Sequence, residues 1–134
     1  MRAMNLMQDL EFHSPNPYAQ PLFADKVGRV LRFTLKPGQS VTEHYVPDSP
    51  FYVVVLKGEG MFMGRDDKEK RLGPNQLLIF DPGEKHSIQA IDTELVFVGF
   101  LHGALGVPVK KVTGKMAQKR KKISIEQKSK RKAR

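Results

Sequence analysis

Apolar and polar residues alternate along most of this chain with a period of two. In "RVLRFTL" (29–35) Leu31, Phe33 and Leu35 fall on one side and Arg32 and Thr34 on the other. That is the signature of a strand buried on one face. "KPGQS" then breaks the pattern as a turn. "FYVVVL" (51–56) is β-branched and aromatic, "KGEG" turns it, "MFMG" follows, and the polar "RDDKEK" reads as a hairpin end. "GPN" leads into "QLLIF" (76–80), and "DPGEK" turns again. "HSIQA" sets His86, Ile88 and Ala90 against Ser87 and Gln89, and "ELVFVGFL" (94–101) is a last long strand. Turn signals recur roughly every ten residues, the spacing of a sandwich or barrel. No segment of this region sustains a helical period. The pattern predicts an all-β domain over 29–107, folded as a closed or nearly closed antiparallel barrel.

The flanks differ. Residues 1–28 have weak periodicity, and Pro15, Pro17 and Pro21 suit a flexible, extended N-terminal arm rather than a helix. Residues 108–134 have few apolar side chains and dense charge of one sign, which predicts a disordered basic C-terminal tail. The net charge of +9 hides this division. The tail carries 12 Lys/Arg and one acid, Glu126, for +11, whereas residues 1–107 carry 11 Lys/Arg and 13 acids, for −2. The basic character therefore belongs to the tail and not to the barrel.

The length of 134 residues fits one domain, and 40% hydrophobic residues suffice for a real core. There is no cysteine, so there are neither disulfides nor thiolate metal ligands, in keeping with a cytoplasmic protein. The N-terminus meets Asp9 and Glu11 before any long apolar run and makes a poor signal peptide. No stretch approaches the length of a membrane-spanning helix.

The spacing of glycines and histidines carries a resemblance. Gly38, His44, Val46, Phe51 and Gly58 fall in one series, and Asn75, Asp81, Gly83, His86 and Ala90 in a second. Over residues 30–101 these series resemble the two motifs of the cupin superfamily, G-x5-H-x-H-x(3,4)-E-x6-G and G-x5-P-x-G-x2-H-x3-N. The resemblance implies a small cupin-type, jelly-roll-like β-barrel. In metal-binding cupins three histidines and a glutamate hold a divalent ion such as Fe, Mn, Ni, Cu or Zn, with positions left open for substrate. His44 and His86 occupy the first and third histidine positions here. Val46 stands at the second and Phe51 at the glutamate, and neither can donate to a metal. Asn75, Asp81 and Ala90 also depart from the pattern, at turn and edge positions.

The resemblance makes His44 and His86 the candidate metal ligands, an incomplete pair facing each other inside the barrel. Water, substrate, Glu43, Asp81 or His102 are the groups considered for completing it, although Glu43 alternates with His44 and points the other way. Against this stands a plainer reading, in which Val46, Phe51, Val53, Ile88 and His102 line an apolar pocket with the histidines as polar anchors. A third reading makes a histidine a general base, as in some metal-free cupins, but neither histidine has an inward carboxylate evident beside it. Function is accordingly expected to be binding of a small molecule in the barrel. The alternatives are a metal-dependent cupin enzyme, dioxygenase-like or isomerase-like, and a nucleic-acid-associated module. Whether the chain is an enzyme stays open. Homodimerisation is implied because cupins of this size commonly pair through barrel faces and arms. Lys119, Arg120, Lys121, Lys122, Lys130, Arg131 and Lys132 are the candidate contacts to nucleic acid or another polyanion. With no aromatic residue in 108–134, the tail offers no stacking on single strands.

Overall fold

The structure is a computed structural model. It describes the backbone of residues 1–45, 47–103 and 110–111 and the side chains of 1–41 and 47–103. Among the described residues there are ten strands and no helix: β1 (Tyr18–Ala24), β2 (Gly28–Leu35), β3 (Ser40–Tyr45), β4 (Phe51–Lys57), β5 (Gly60–Met63), β6 (Glu69–Leu72), β7 (Leu77–Phe80), β8 (His86–Ala90), β9 (Leu95–His102) and β10 (Lys110–Lys111). They form two five-stranded sheets in the orders β1-β2-β9-β4-β7 and β10-β3-β8-β5-β6. Every pairing is antiparallel. The chain switches sheets between successive strands from β2 to β9 except at the β5–β6 hairpin, which makes a flattened jelly-roll barrel.

The period-two residues meet in the middle. β2 and β9 pair over their full length without a register shift, from Gly28 opposite His102 to Leu35 opposite Leu95. Phe33 therefore lies beside Phe97, and their rings stack at 4.7 Å. Phe62 from the second sheet meets Phe97 edge-on at 6.3 Å and joins the two layers. Leu35, Val53, Val55, Ile88, Ala90 and Leu95 complete a core that excludes water. Burying side chains of this size stabilises the fold by roughly 1.5–3 kcal/mol each.

Strand β2 departs from the one-faced burial that its alternation suggests. Arg32 and Thr34 point away from the core, yet both are buried, as are their neighbours Val98 and Val96 on β9. The N-terminal arm crosses that outer face. Arg32 donates to the carbonyls of Leu6 (2.9 Å), Gln8 (3.0 Å) and Asp9 (3.4 Å) and to Oε1 of Gln20 (2.6 Å). The Thr34 hydroxyl donates to the Glu11 carbonyl. The expected flexible arm is thus held down, because its backbone carbonyls satisfy polar groups that the sheet cannot satisfy itself. It also contributes β1, an edge strand in which Pro21 sits beside a register irregularity. Two further differences concern the polar stretches. "RDDKEK" holds not only a hairpin end but the start of β6, an exposed and charged edge strand. Lys110 and Lys111, placed in the tail by composition, pair with Tyr45 and His44 at the edge of β3.

Candidate functional site

One end of the barrel carries the candidate chemistry. It is where β4 and β8 begin and where β7 and β9 finish. In the β3–β8 ladder His44 lies directly opposite His86, after an irregularity that begins at Val41. The backbone thus brings the two histidine positions to adjacent strands. Val46 lies outside the described residues, as do the proposed polyanion contacts Lys119, Arg120, Lys121, Lys122, Lys130, Arg131 and Lys132.

His86 is 3% exposed and sits against two aromatic rings from the other sheet. Phe80 stacks on it at 4.4 Å, and Phe51 lies 5.2 Å away at a tilt of 30°. Phe51 reaches this place because position 99 is glycine. A Cβ there would come within 2.3 Å of the Phe51 ring. Burial pushes the His86 pKa down from 6.5 to about 4, against the opposing pull of the Glu84 carbonyl and charge. Nδ1 lies 3.2 Å from that carbonyl. A carbonyl only accepts, so Nδ1 carries the proton and Nε2 keeps the lone pair. His86 is therefore a neutral imidazole of fixed tautomer at neutral pH.

The loop before His86 is organised by Glu84. Its Oε2 accepts from the Arg65 amide (2.9 Å) and its Oε1 from the Asp81 amide (2.8 Å). Burial raises the pKa of this carboxyl, but the two amide hydrogen bonds and the Arg65 charge outweigh it, so the net shift is downward. Gly64 makes room for the carboxylate, since a Cβ there would lie 2.5 Å from Oε2. Next to this clamp opens a cleft of about 810 Å³ whose described walls include Met63, Arg65, Lys85, His86 and Ser87. The cleft is of the size that small-molecule sites have.

The other expected pocket residues lie elsewhere. Phe51, Val53 and Ile88 all belong to the buried core cluster rather than the cleft wall, Phe51 at its His86 end. His102 does not join the pocket. It is exposed on the outer face of β9, with its ring 5.4 Å from Tyr52. The reason is phase: Leu95, Phe97 and Leu101 point inward, so the even positions point out. Asp81 is likewise turned outward, bound to the Arg65 guanidinium at 2.8 Å.

Two residues at this end escaped the sequence reading. Ser49 is buried, donates to the Pro50 carbonyl (2.6 Å) and accepts from the His102 amide (2.7 Å), so it pins the loop before β4 to the end of β9. Arg29 lies on the inner face of β2, opposite Leu101. Its phase with Leu31, Phe33 and Leu35 was the available signal.

Two sheets in this order, with a histidine at the start of β8, define a double-stranded β-helix protein. A family model described as the cupin domain matches residues 31–99, more than half of the chain, and the chain belongs to that family. No curated protein matches it. Solved structures with the same fold include a conserved protein with a double-stranded β-helix domain from Klebsiella pneumoniae subsp. pneumoniae MGH 78578 (17% identity, TM-score 0.75, 89% of this chain and 99% of that one). An RmlC-like cupin protein from Desulfovibrio desulfuricans is 24% identical, with a TM-score of 0.67, covering 75% of this chain and 95% of that one. KdgF from Halomonas sp. is 13% identical, with a TM-score of 0.66 and coverage of 77% and 93%. At these identities the likeness is one of fold.

Cupins often hold metals, so the donor set matters. Among the described residues no three His, Asp or Glu side chains come together as metal ligands. At the glutamate position the Phe51 ring packs against the His86 imidazole. A hydrocarbon edge in the place of a carboxylate supplies neither charge nor a lone pair, so these residues do not fit a four-ligand centre. The nearby acid, Glu84, engages its carboxylate with two backbone amides and presents its carbonyl to His86. No helix among the described residues is long and apolar enough to cross a membrane.

Proposed function

We propose that this cupin binds a small organic molecule in the cleft beside Glu84 and His86 at one end of its barrel. The observation that carries the reading is the setting of His86. It is a buried imidazole of fixed tautomer, stacked on Phe80, beside Phe51, at the wall of an 810 Å³ cleft. Arg65, Asp67, Glu84, Lys85 and Ser87 give the cleft polar groups, Met63 and Pro82 give it apolar surface, and pockets with both hold small molecules. Among the described residues the metal-dependent enzyme reading draws on the His44 and His86 positions alone, with Phe51 standing where a carboxylate ligand would be.

The test is a titration of histidine-labelled protein with a fragment library, read by the ring resonances of His86. A saturable shift is expected for a subset of fragments and is lost in Ser87→Trp, whose ring fills the cleft. Resonances that no fragment moves sink the proposal. Elemental analysis of protein purified without chelator accompanies it, with transition metal expected only in trace amounts. A second reading concerns the tail. Lys110 and Lys111 pair with β3, which roots the basic segment at the edge of one sheet and favours polyanion contact from there.

A further inference from the structure

We propose that the free edge of β7 takes up an added strand, an extended acidic segment of a partner protein lying in the groove between β7 and β6. β7 is the last strand of one sheet and β6 the last of the other. Between them runs a groove of about 410 Å³, walled by all four residues of β7 and by Phe62, Lys68, Lys70 and Leu72. The edge of β7 is open along its length. On the neighbouring strand Val55 donates to the Gln76 carbonyl (3.1 Å) and accepts from the Asn75 amide (2.9 Å), so both its backbone groups face the β7 side. Hydrogen-bonding residues alternate along an antiparallel strand, so Val53 and Phe51 also bond toward β7, opposite Leu78 and Phe80. The amides and carbonyls of Leu77 and Ile79 therefore point away from β4, and among the described residues no strand pairs with them. Their side chains stand in solvent, 63% and 57% exposed. β6 carries charges that protect an edge from pairing, whereas Leu77–Phe80 has no charge, no proline and no bulge.

The groove sets the chemistry of the partner. Lys70 lies opposite the buried Phe62, so Lys68, Lys70 and Leu72 share the phase that faces the groove. Glu69 and Arg71 have the other phase, and Arg71 pairs with Glu59 (2.8 Å). Neither Lys68 nor Lys70 has an ion pair among the described residues. Asp66 beside them accepts from the Lys68 amide (3.1 Å), and Arg65 is held by Asp81 and Glu84. The side chains of an added strand alternate between two faces. Those turned toward β6 meet the two ammonium groups, and those turned outward continue the apolar surface of Leu77 and Ile79. A strand of alternating acidic and apolar residues answers both, and strand addition to a sheet edge is a common way to capture such a segment. A second copy of β7 is uncharged and leaves the lysines unanswered. The tail of this chain, with one acid among 12 Lys/Arg, repels them. Residues 9–12, Asp-Leu-Glu-Phe, have the pattern, but the carbonyls of Asp9 and Glu11 are held by Arg32 and Thr34 of their own sheet.

The experiment follows amide hydrogen exchange in the full chain by NMR, with two synthetic octapeptides, one of alternating Glu and Val and one of alternating Lys and Val. Reading Leu77 and Ile79 separates the groove from the basic tail, which attracts any acidic peptide. At saturation the Glu-Val peptide is expected to slow exchange at both residues about tenfold or more, and the Lys-Val peptide to leave them unchanged. Ile79→Pro removes an amide that β4 does not use, a place where an edge strand accepts proline. It is expected to keep the thermal midpoint and to lose the slowing at Leu77. Lys68→Glu combined with Lys70→Glu is expected to reverse the preference between the peptides. Should Ile79→Pro fail to fold, that reversal decides. The proposal is overturned if the Glu-Val peptide slows neither amide, if slowing survives in a folded Ile79→Pro, if both peptides act alike, or if the lysine variant keeps the original preference. It is overturned too if exchange at Leu77 slows with protein concentration alone, which marks a second copy at this edge.

Discussion

His86 shows how one residue couples packing to acidity. Its folded pKa of about 4 lies below the 6.5 of the unfolded chain, and burial is the main cause. The unfolded state therefore takes up the proton first as pH falls. Stability from this group is complete above pH 6.5 and is lost progressively toward pH 4. Between pH 7.5 and pH 5 the loss is about 2 kcal/mol. Urea unfolding of the wild type at those two pH values should show it, and His86→Phe, which keeps the stack on Phe80, should flatten the dependence. A wild type equally stable at both contradicts the buried neutral imidazole. Asn75 makes a different point. It stands where the family motif has glycine, and its φ is +69°. Asparagine tolerates this left-handed region better than other side chains do. Asn75→Ala is expected to lose about 1 kcal/mol and Asn75→Gly close to none, measured by the same unfolding curves.

At the scale of elements, β2, β4, β5, β7, β8 and β9 were legible because alternation or an apolar, β-rich run met a turn marked by glycine or proline, whereas β1, β6 and β10 lay in stretches that read as arm, hairpin end and tail. The turn at Gly58 is an instance. Its φ is +78°, and a Cβ there would fall 1.9 Å from the Glu94 carbonyl oxygen, so both backbone and space demand glycine. What period and turn chemistry could not show was the covering of one sheet by the arm. Arg32 and Thr34 look like solvent-facing positions of a one-faced strand, and only the third dimension supplies the carbonyls of Leu6, Gln8, Asp9 and Glu11. The same gap hid Arg29, whose phase was readable but whose lack of partners was not. The position of His102 was open for a related reason: alternation groups residues by face without saying which face is inside. The arm is expected to act with Arg32 as one unit. Removing residues 1–11 or making Arg32→Met should each lower stability by about 2–4 kcal/mol, through lost charge-assisted hydrogen bonds and uncovering of Val96 and Val98. The two changes combined should cost far less than their sum. Additive losses in chemical denaturation would separate the arm from Arg32.

For the whole molecule the division of charge matters most. A mildly acidic barrel bears a segment of +11. Like charge this dense favours any polyanion, and releasing condensed counterions from a duplex makes such binding steeply dependent on salt. Where the chain is cut decides what a truncation tests. Ending it at residue 107 also removes Lys110 and Lys111, which pair with β3 opposite Tyr45 and His44, and so disturbs a sheet edge beside the candidate site. Ending it after Lys111 keeps β10 and removes ten of the twelve tail cations. The full chain is expected to bind duplex DNA and heparin alike, without sequence preference, with an affinity that falls linearly on a log–log plot against salt. The chain cut after Lys111 should lose that binding while its thermal midpoint and the His86 resonances stay in place. Retained binding would move the polyanion site onto the barrel. A displaced His86 resonance would instead show that the tail reaches back to the mouth it springs from.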